Sequence, residues 1–157
     1  MTVFACGDPL RCDDSVAPLA VKGLPADVLA RADVRLVGAL EVEHLTAMPA
    51  GTRAVIVDAV VGPPAGTIVE IDLAALGDRA ALGDRAARVV TTSSHQLPLD
   101  RVVALAQVLR DEPVKGRFVG VGIESVAIGE ALSEAVSAAL PSLREAVARA
   151  IAALASG

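Results

Sequence analysis

The sequence predicts an α/β fold: a three-layer α/β/α domain built on a twisted, mostly parallel five-stranded sheet with one antiparallel strand. Three observations carry this reading. Apolar runs at 3–6, at 54–61 with Asp58 as its one interruption, and at 118–123 have the composition of strands buried on both faces, which requires helices over both sides of the sheet. Stretches with helical spacing of apolar residues separate these runs. The turn Gly62-Pro63-Pro64-Ala65-Gly66 is too short for a helical crossover, so the alternating segment 67–73 after it must run antiparallel, at an edge.

The chain has 157 residues, enough for one domain, 1–157, with a proper core. It is 54% hydrophobic, much of it Ala and Val spread through amphipathic patterns. No apolar run approaches the roughly 18 to 20 residues of a membrane span, so no membrane association is expected. Fourteen Lys and Arg face 19 Asp and Glu, for a net charge of −5, and there are two Phe but no Tyr or Trp. Without a basic stripe or a stacking platform, nucleic acid is not an expected partner. The N-terminus enters a strand at once with no signal peptide in view, and a cytoplasmic protein is expected.

Taken in order, 3–6 is the first strand and Gly7-Asp8-Pro9-Leu10-Arg11-Cys12-Asp13-Asp14 the turn that leaves it. A helix over 15–24 follows, closed by Gly23 and Pro25, and the run 34–37 is a second strand ending at Gly38. This βαβ unit should cross over right-handed. A short helix over 41–48 turns Val42, Leu45 and Met48 to one side and leaves His44 as a solvated surface residue. The run 54–61 is the central strand, interrupted by Asp58.

Residues 75–86 repeat Ala-Leu-Gly-Asp-Arg-Ala twice and read as a tandem duplication in a surface loop. Ser94 is placed to cap a helix whose buried stripe is Val102, Val103, Leu105, Ala106 and Leu109, with His95 in its first turn. The run 118–123 is the last strand, with Glu124 at its end. Ser133 then caps a long helix carrying Val136, Leu140, Leu143, Val147, Ile151 and Leu154 on one face, in which Pro141 marks a kink or a restart.

Four residues in this scheme bear on chemistry. Asp13 and Asp14 sit side by side after the first strand, where like charges raise one another's pKa unless a cation or a helix N-terminus relieves them. Asp13 suits a helix N-cap, with Asp14 at the first helical position. Asp58 closes a buried strand and must be paired, hydrogen-bonded or coordinated, a turn aspartate held by backbone N–H groups being one solution. His95 sits where the positive end of a helix disfavours imidazolium, and a neutral imidazole is the form that binds metal; a purely structural histidine is the alternative. In an open α/β sheet all of these fall near the carboxyl edge, where ligands bind. Two carboxylates and one imidazole make a half-built site for a borderline divalent metal such as nickel or zinc, with coordination positions left open. Cys6 reads as a small buried hydrophobe and Cys12 as an incidental thiol.

These segments resemble the nickel–iron hydrogenase maturation proteases. Gly7 to Asp14 is similar to that family's first motif, a Gly-Asn turn followed by Leu and an acidic pair. Val55-Ile56-Val57-Asp58-Ala59-Val60 with Pro64-Ala65-Gly66-Thr67 is similar to its second, Ser94-His95-Gln96-Leu97 to its third, and Val121-Gly122-Ile123-Glu124 with Leu132-Ser133 to its fourth. The resemblance implies a phosphorylase/hydrolase-like fold. It also implies an endopeptidase that removes the C-terminal extension of a hydrogenase large-subunit precursor after nickel insertion. Asp14, Asp58 and His95 would be the metal-contacting and catalytic residues, and nickel would be carried by the substrate, with no permanently bound cofactor. The chain departs from the family at Ala5, Asp8 and Ser15, where Gly, Asn and Gly are usual, and only Gly38-Ala39-Leu40 stands where a Gly-rich turn commonly follows strand two. Those departures leave a second expectation open: a non-catalytic relative that binds or checks a nickel-loaded subunit.

Overall fold

The computed structural model describes residues 1–81, 97–129 and 131–156. Two strands, β1 (Thr2–Cys6) and β3 (Ala54–Val60), are buried at every residue and form the centre of the sheet. With β2 (Asp33–Val37), β4 (Ile68–Asp72) and β5 (Gly116–Gly122) they make one five-stranded sheet in the order β2-β1-β3-β5-β4. The pairs β1–β2, β1–β3 and β3–β5 are parallel, and β4 runs antiparallel to β5 at one edge, as the short 62–66 turn requires.

Side-chain alternation divides the core between the two faces. Val3, Val55, Val57, Val119 and Val121 face one side, where α1 (Val16–Lys22) and α6 (Glu134–Ala155) pack on them. Phe4, Ile56 and Phe118 face the other, under α3 (Val42–Thr46), α4 (Leu73–Ala81) and α5 (Leu99–Arg110). Burying side chains of this size contributes about 1.5–3 kcal/mol each. One further short helix, α2 (Ala26–Leu29), links α1 to β2. Among the described residues no helix is long and apolar enough to cross a membrane.

Several local expectations are corrected. The helix expected over 15–24 is α1, Val16–Lys22, and it is entered through a 3-10 turn, Cys12–Ser15. The first copy of the repeat is not a surface loop: it lies in α4, with Leu73, Leu76 and Ala80 buried against the sheet and α5, because these residues fall three and four apart. Residues 82–86 of the second copy lie outside the described residues. α5 begins at Leu99 with Pro98 at its N-cap, and Ser94, the expected cap, lies outside the described residues. Its buried stripe holds Val102, Val103 and Ala106, but Leu105 and Leu109 are exposed.

His44 is half-buried rather than free in solvent. Its Nδ1 accepts the Glu41 N–H at 2.9 Å in a capping box for α3, and its ring lies 5.9 Å from that of Phe4. Pro141 neither ends nor restarts α6, which runs as one helix through it.

Candidate active site at the carboxyl edge

The turn that leaves β1 is built on Gly7. Its φ of +125° is open to glycine, and a Cβ there would stand 1.9 Å from the Asp14 carbonyl oxygen. Gly7 thus lets the chain double back against its own acidic turn. The closure is completed by the Asp8 N–H, which donates to the Asp14 carboxylate at 2.9 Å.

Asp13 and Asp14 are both buried but have different surroundings. Asp13 is 0% exposed and does not cap its own helix. Its carboxylate accepts the N–H of Glu124 (3.0 Å), Ser125 (3.1 Å) and Ser133 (2.6 Å), and the Ser133 hydroxyl at 2.9 Å. Burial alone would raise its pKa. The four hydrogen bonds outweigh that and hold it below the ordinary carboxylate value. Asp13 therefore ties the acidic turn to the segment that joins β5 to α6. Ser133 occupies the N-cap position of α6 as expected, but its hydroxyl donates to Asp13 and makes no cap bond. A second tie runs beside it: Cys12 N–H donates to Gly129 C=O at 2.7 Å, and Gly129 N–H to Leu10 C=O at 3.0 Å.

Asp58 sits in β3 near its carboxyl end, 5% exposed. Its Oδ1 accepts the N–H of Ala59 at 2.8 Å. Burial pushes its pKa up to about 8, the Ala59 hydrogen bond opposes this, and the charge of Asp14 raises it further. The two carboxylates are thus close enough to repel, and at neutral pH Asp58 keeps its proton. The structure brings Asp14 and Asp58 together at the edge where ligands bind in such sheets. His95, the third residue of the expected set, lies outside the described residues.

The sequence did not single out Cys6 as a neighbour of this pair. Its thiol is pushed well above the ordinary value by burial, then by Asp58 and by Asp14, with a hydrogen bond from the Leu40 backbone opposing. The signal was available in the strand register: Ala5 pairs with Val57, so the next residue of β1 stands alongside Asp58. Cys6 is a buried thiol, as expected, and lies near both acids. Among the described residues no three His, Cys, Asp or Glu side chains form a group that would hold a metal ion.

The positions where this chain was expected to be unusual are absorbed locally. Asp8 Oδ1 accepts the Leu10 N–H at 2.9 Å, closing its own turn. The Ser15 hydroxyl donates to Cys12 C=O at 2.7 Å, and Ala5 is packed at 0% exposure. Cys12, at φ +31°, takes a backbone conformation that L residues with a side chain adopt at a cost.

No protein-family model matches the chain, and no curated protein matches it. Solved structures do. The hydrogenase maturating endopeptidase HybD from E. coli superposes with a TM-score of 0.68 at 23% identity, over 94% of this chain and 90% of that one. The NiFe hydrogenase maturation protease HybD from Thermococcus kodakarensis gives 0.62 at 22%, over 95% and 98%. The NiFe hydrogenase maturation protease HycI from Thermococcus kodakarensis KOD1 gives 0.58 at 22%, over 96% and 90%. At these identities the likeness is one of fold, and it extends over nearly the whole length of each chain.

Proposed function

We propose that this protein is an endopeptidase that removes the C-terminal extension of a nickel–iron hydrogenase large-subunit precursor after nickel has been inserted. It reads the substrate's nickel through Asp14, Asp58 and His95. The observation that carries the reading is the pair Asp14 and Asp58: two buried carboxylates near one another, one of them pushed toward its protonated form by burial and by the charge of the other. Such a pair favours a nearby positive charge. A nickel ion arriving with the precursor would relieve the repulsion and displace the Asp58 proton, since carboxylate ligands bind metals in their ionised form. The fold shared with three proteases of this type supports the same reading.

The chemistry follows from what an incomplete site does. The protein's own ligands leave coordination positions open, so only a substrate that brings its cation completes the shell. The ion polarises the scissile carbonyl or a water. Water adds to the acyl carbon, the C–N bond breaks, and the proton released by the water goes to the departing amine. The alternative, a non-catalytic relative, drew on the altered positions Ala5, Asp8 and Ser15. Their side chains are accommodated within β1 and the turn that follows it, which favours the catalytic reading.

The test is processing of a nickel-loaded precursor by Asp14→Ala, Asp58→Ala and His95→Ala proteins, each checked for folding. Each is expected to lose about 100-fold or more in rate. Cys12→Ser is expected to retain processing. A His95→Ala protein that cleaves at the wild-type rate would remove His95 from the mechanism.

A further inference from the structure

β2 is the outer strand at the end of the sheet opposite β4, and among the described residues only β1 pairs with it. Its ladder to β1 uses alternate residues. Asp33 N–H donates to Met1 C=O at 3.0 Å, and Val37 C=O accepts from Gly7 N–H at 3.1 Å. By that alternation the N–H and C=O groups of Val34 and Leu36 point away from β1, to the open side. Such a row of groups is a template for another extended chain.

The surroundings of this edge are shaped as well. Leu36 is 52% exposed, and a shallow cavity lies on each side of it. One, of about 340 Å³, reaches Gly7, Asp8 and Pro9; the other, of about 460 Å³, reaches Val34, Leu29 and Val21. Lys22 and Leu36 line both, so the two make one groove along β2. The groove ends at the acidic turn, where Asp8 N–H is bonded to the Asp14 carboxylate. The edge thus leads, within one hydrogen bond, to the candidate site.

We infer that this edge holds the C-terminal extension of the substrate as a sixth strand, antiparallel to β2, with the residues downstream of the cut lying in the groove. The inference rests on the proposed endopeptidase activity. The direction follows from the position of the cut. With the scissile bond at the carboxyl edge, the downstream chain must run from Val37 back toward Asp33. The five residues of β2 span about 17 Å, so about five residues of the extension fill the edge. Side chains two apart on the bound strand enter the two cavities, which favours apolar residues there. A second copy of this chain is the alternative occupant, and the experiment below separates the two.

The experiment uses the full chain and a synthetic peptide with the sequence of the precursor's C-terminal extension. Amide hydrogen exchange read by NMR should show Val34 and Leu36 protected when the peptide is added, while the Arg35 amide, already directed to β1, stays as it was. Leu36→Pro removes an outward N–H and leaves the β1 ladder intact, a substitution that sheet edges tolerate. With nickel-loaded precursor it should raise KM about tenfold and hold kcat within about twofold, the expected loss for one hydrogen bond and its contact. Unchanged exchange at Val34 and Leu36 together with an unchanged KM would overturn the inference. So would concentration-dependent protection of these amides without peptide, which would assign the edge to a second copy. Because the exchange measurement needs no cleavage, it decides this point even if the nickel mechanism fails.

Discussion

The Asp13 carboxylate accepts both the N–H and the hydroxyl of Ser133, at 2.6 and 2.9 Å, across 120 residues of sequence. Together with the N–H groups of Glu124 and Ser125 this makes Asp13 the joint between the acidic turn, the end of β5 and the start of α6. Asp14 is its chain neighbour, so the geometry of the candidate site depends on this joint.

Replacing Asp13 by Ala should therefore cost about 3 kcal/mol, since it leaves three backbone donors without their acceptor in a buried place. For a chain of this length that is a fall in Tm of roughly 6–12 °C. The penalty should also depend on pH. A carboxyl whose folded pKa lies below its unfolded one contributes stability above the unfolded value, and that contribution is lost as pH falls through the folded value. The difference between wild type and Asp13→Asn should shrink in acid. Equal melting temperatures at pH 7 would contradict this account of the joint.

Asp58 has the opposite sign. Its carboxyl ionises near 3.8 when unfolded and near 8 when folded. Between those values the folded protein holds a proton that the unfolded chain has released. Stability therefore falls as pH rises from about 4 to about 8, and levels off above. Asp58→Asn should flatten this dependence and stabilise the protein at pH 8 by on the order of a few kcal/mol. Urea titrations of both proteins from pH 5 to 9 measure it, and parallel curves would show that Asp58 does not carry the shift.

The same proton should govern catalysis. If Asp58 must ionise to meet the substrate's nickel, kcat/KM should rise about tenfold per pH unit below pH 8 and level off above, because that parameter reports groups of the free enzyme. A profile flat from pH 6 to 8 would mean that the protonated form is competent.

A fourth prediction concerns the other face. Arg110 Nη1 donates to Leu45 C=O and Met48 C=O, each at 2.7 Å, and its guanidinium also pairs with Glu112. It satisfies carbonyls at and just beyond the end of α3. Arg110→Ala should cost about 1–3 kcal/mol. Hydrogen exchange should locate the loss in α3, and a loss spread evenly over the chain would contradict this role.

How far the sequence could be read depended on the range of the interaction. Strands such as Ala54–Val60 and Gly116–Gly122 declare themselves because burial on both faces demands apolar residues at nearly every step. The antiparallel β4 followed from a turn too short to cross the sheet. That Asp14 and Asp58 fall at one edge of the sheet was legible because adjacent parallel strands end there. The partners of Asp13 lie more than 100 residues away, and local pattern suggested only a cap. His44 looked solvated because its ring meets Phe4 only after β1 and α3 pack. The repeat looked like a loop because Gly77 and Asp78 masked the spacing of Leu73, Leu76 and Ala80.

The central claim is that the carboxylate pair reads an ion that the substrate supplies. The most direct measurement is the cleavage rate of one large-subunit precursor prepared in two forms, nickel-loaded and metal-free, followed by mass spectrometry of the released extension. The account predicts processing of the loaded form and at least a 100-fold slower rate for the metal-free form, on the scale of one lost catalytic contribution. Equal rates for the two forms would contradict it.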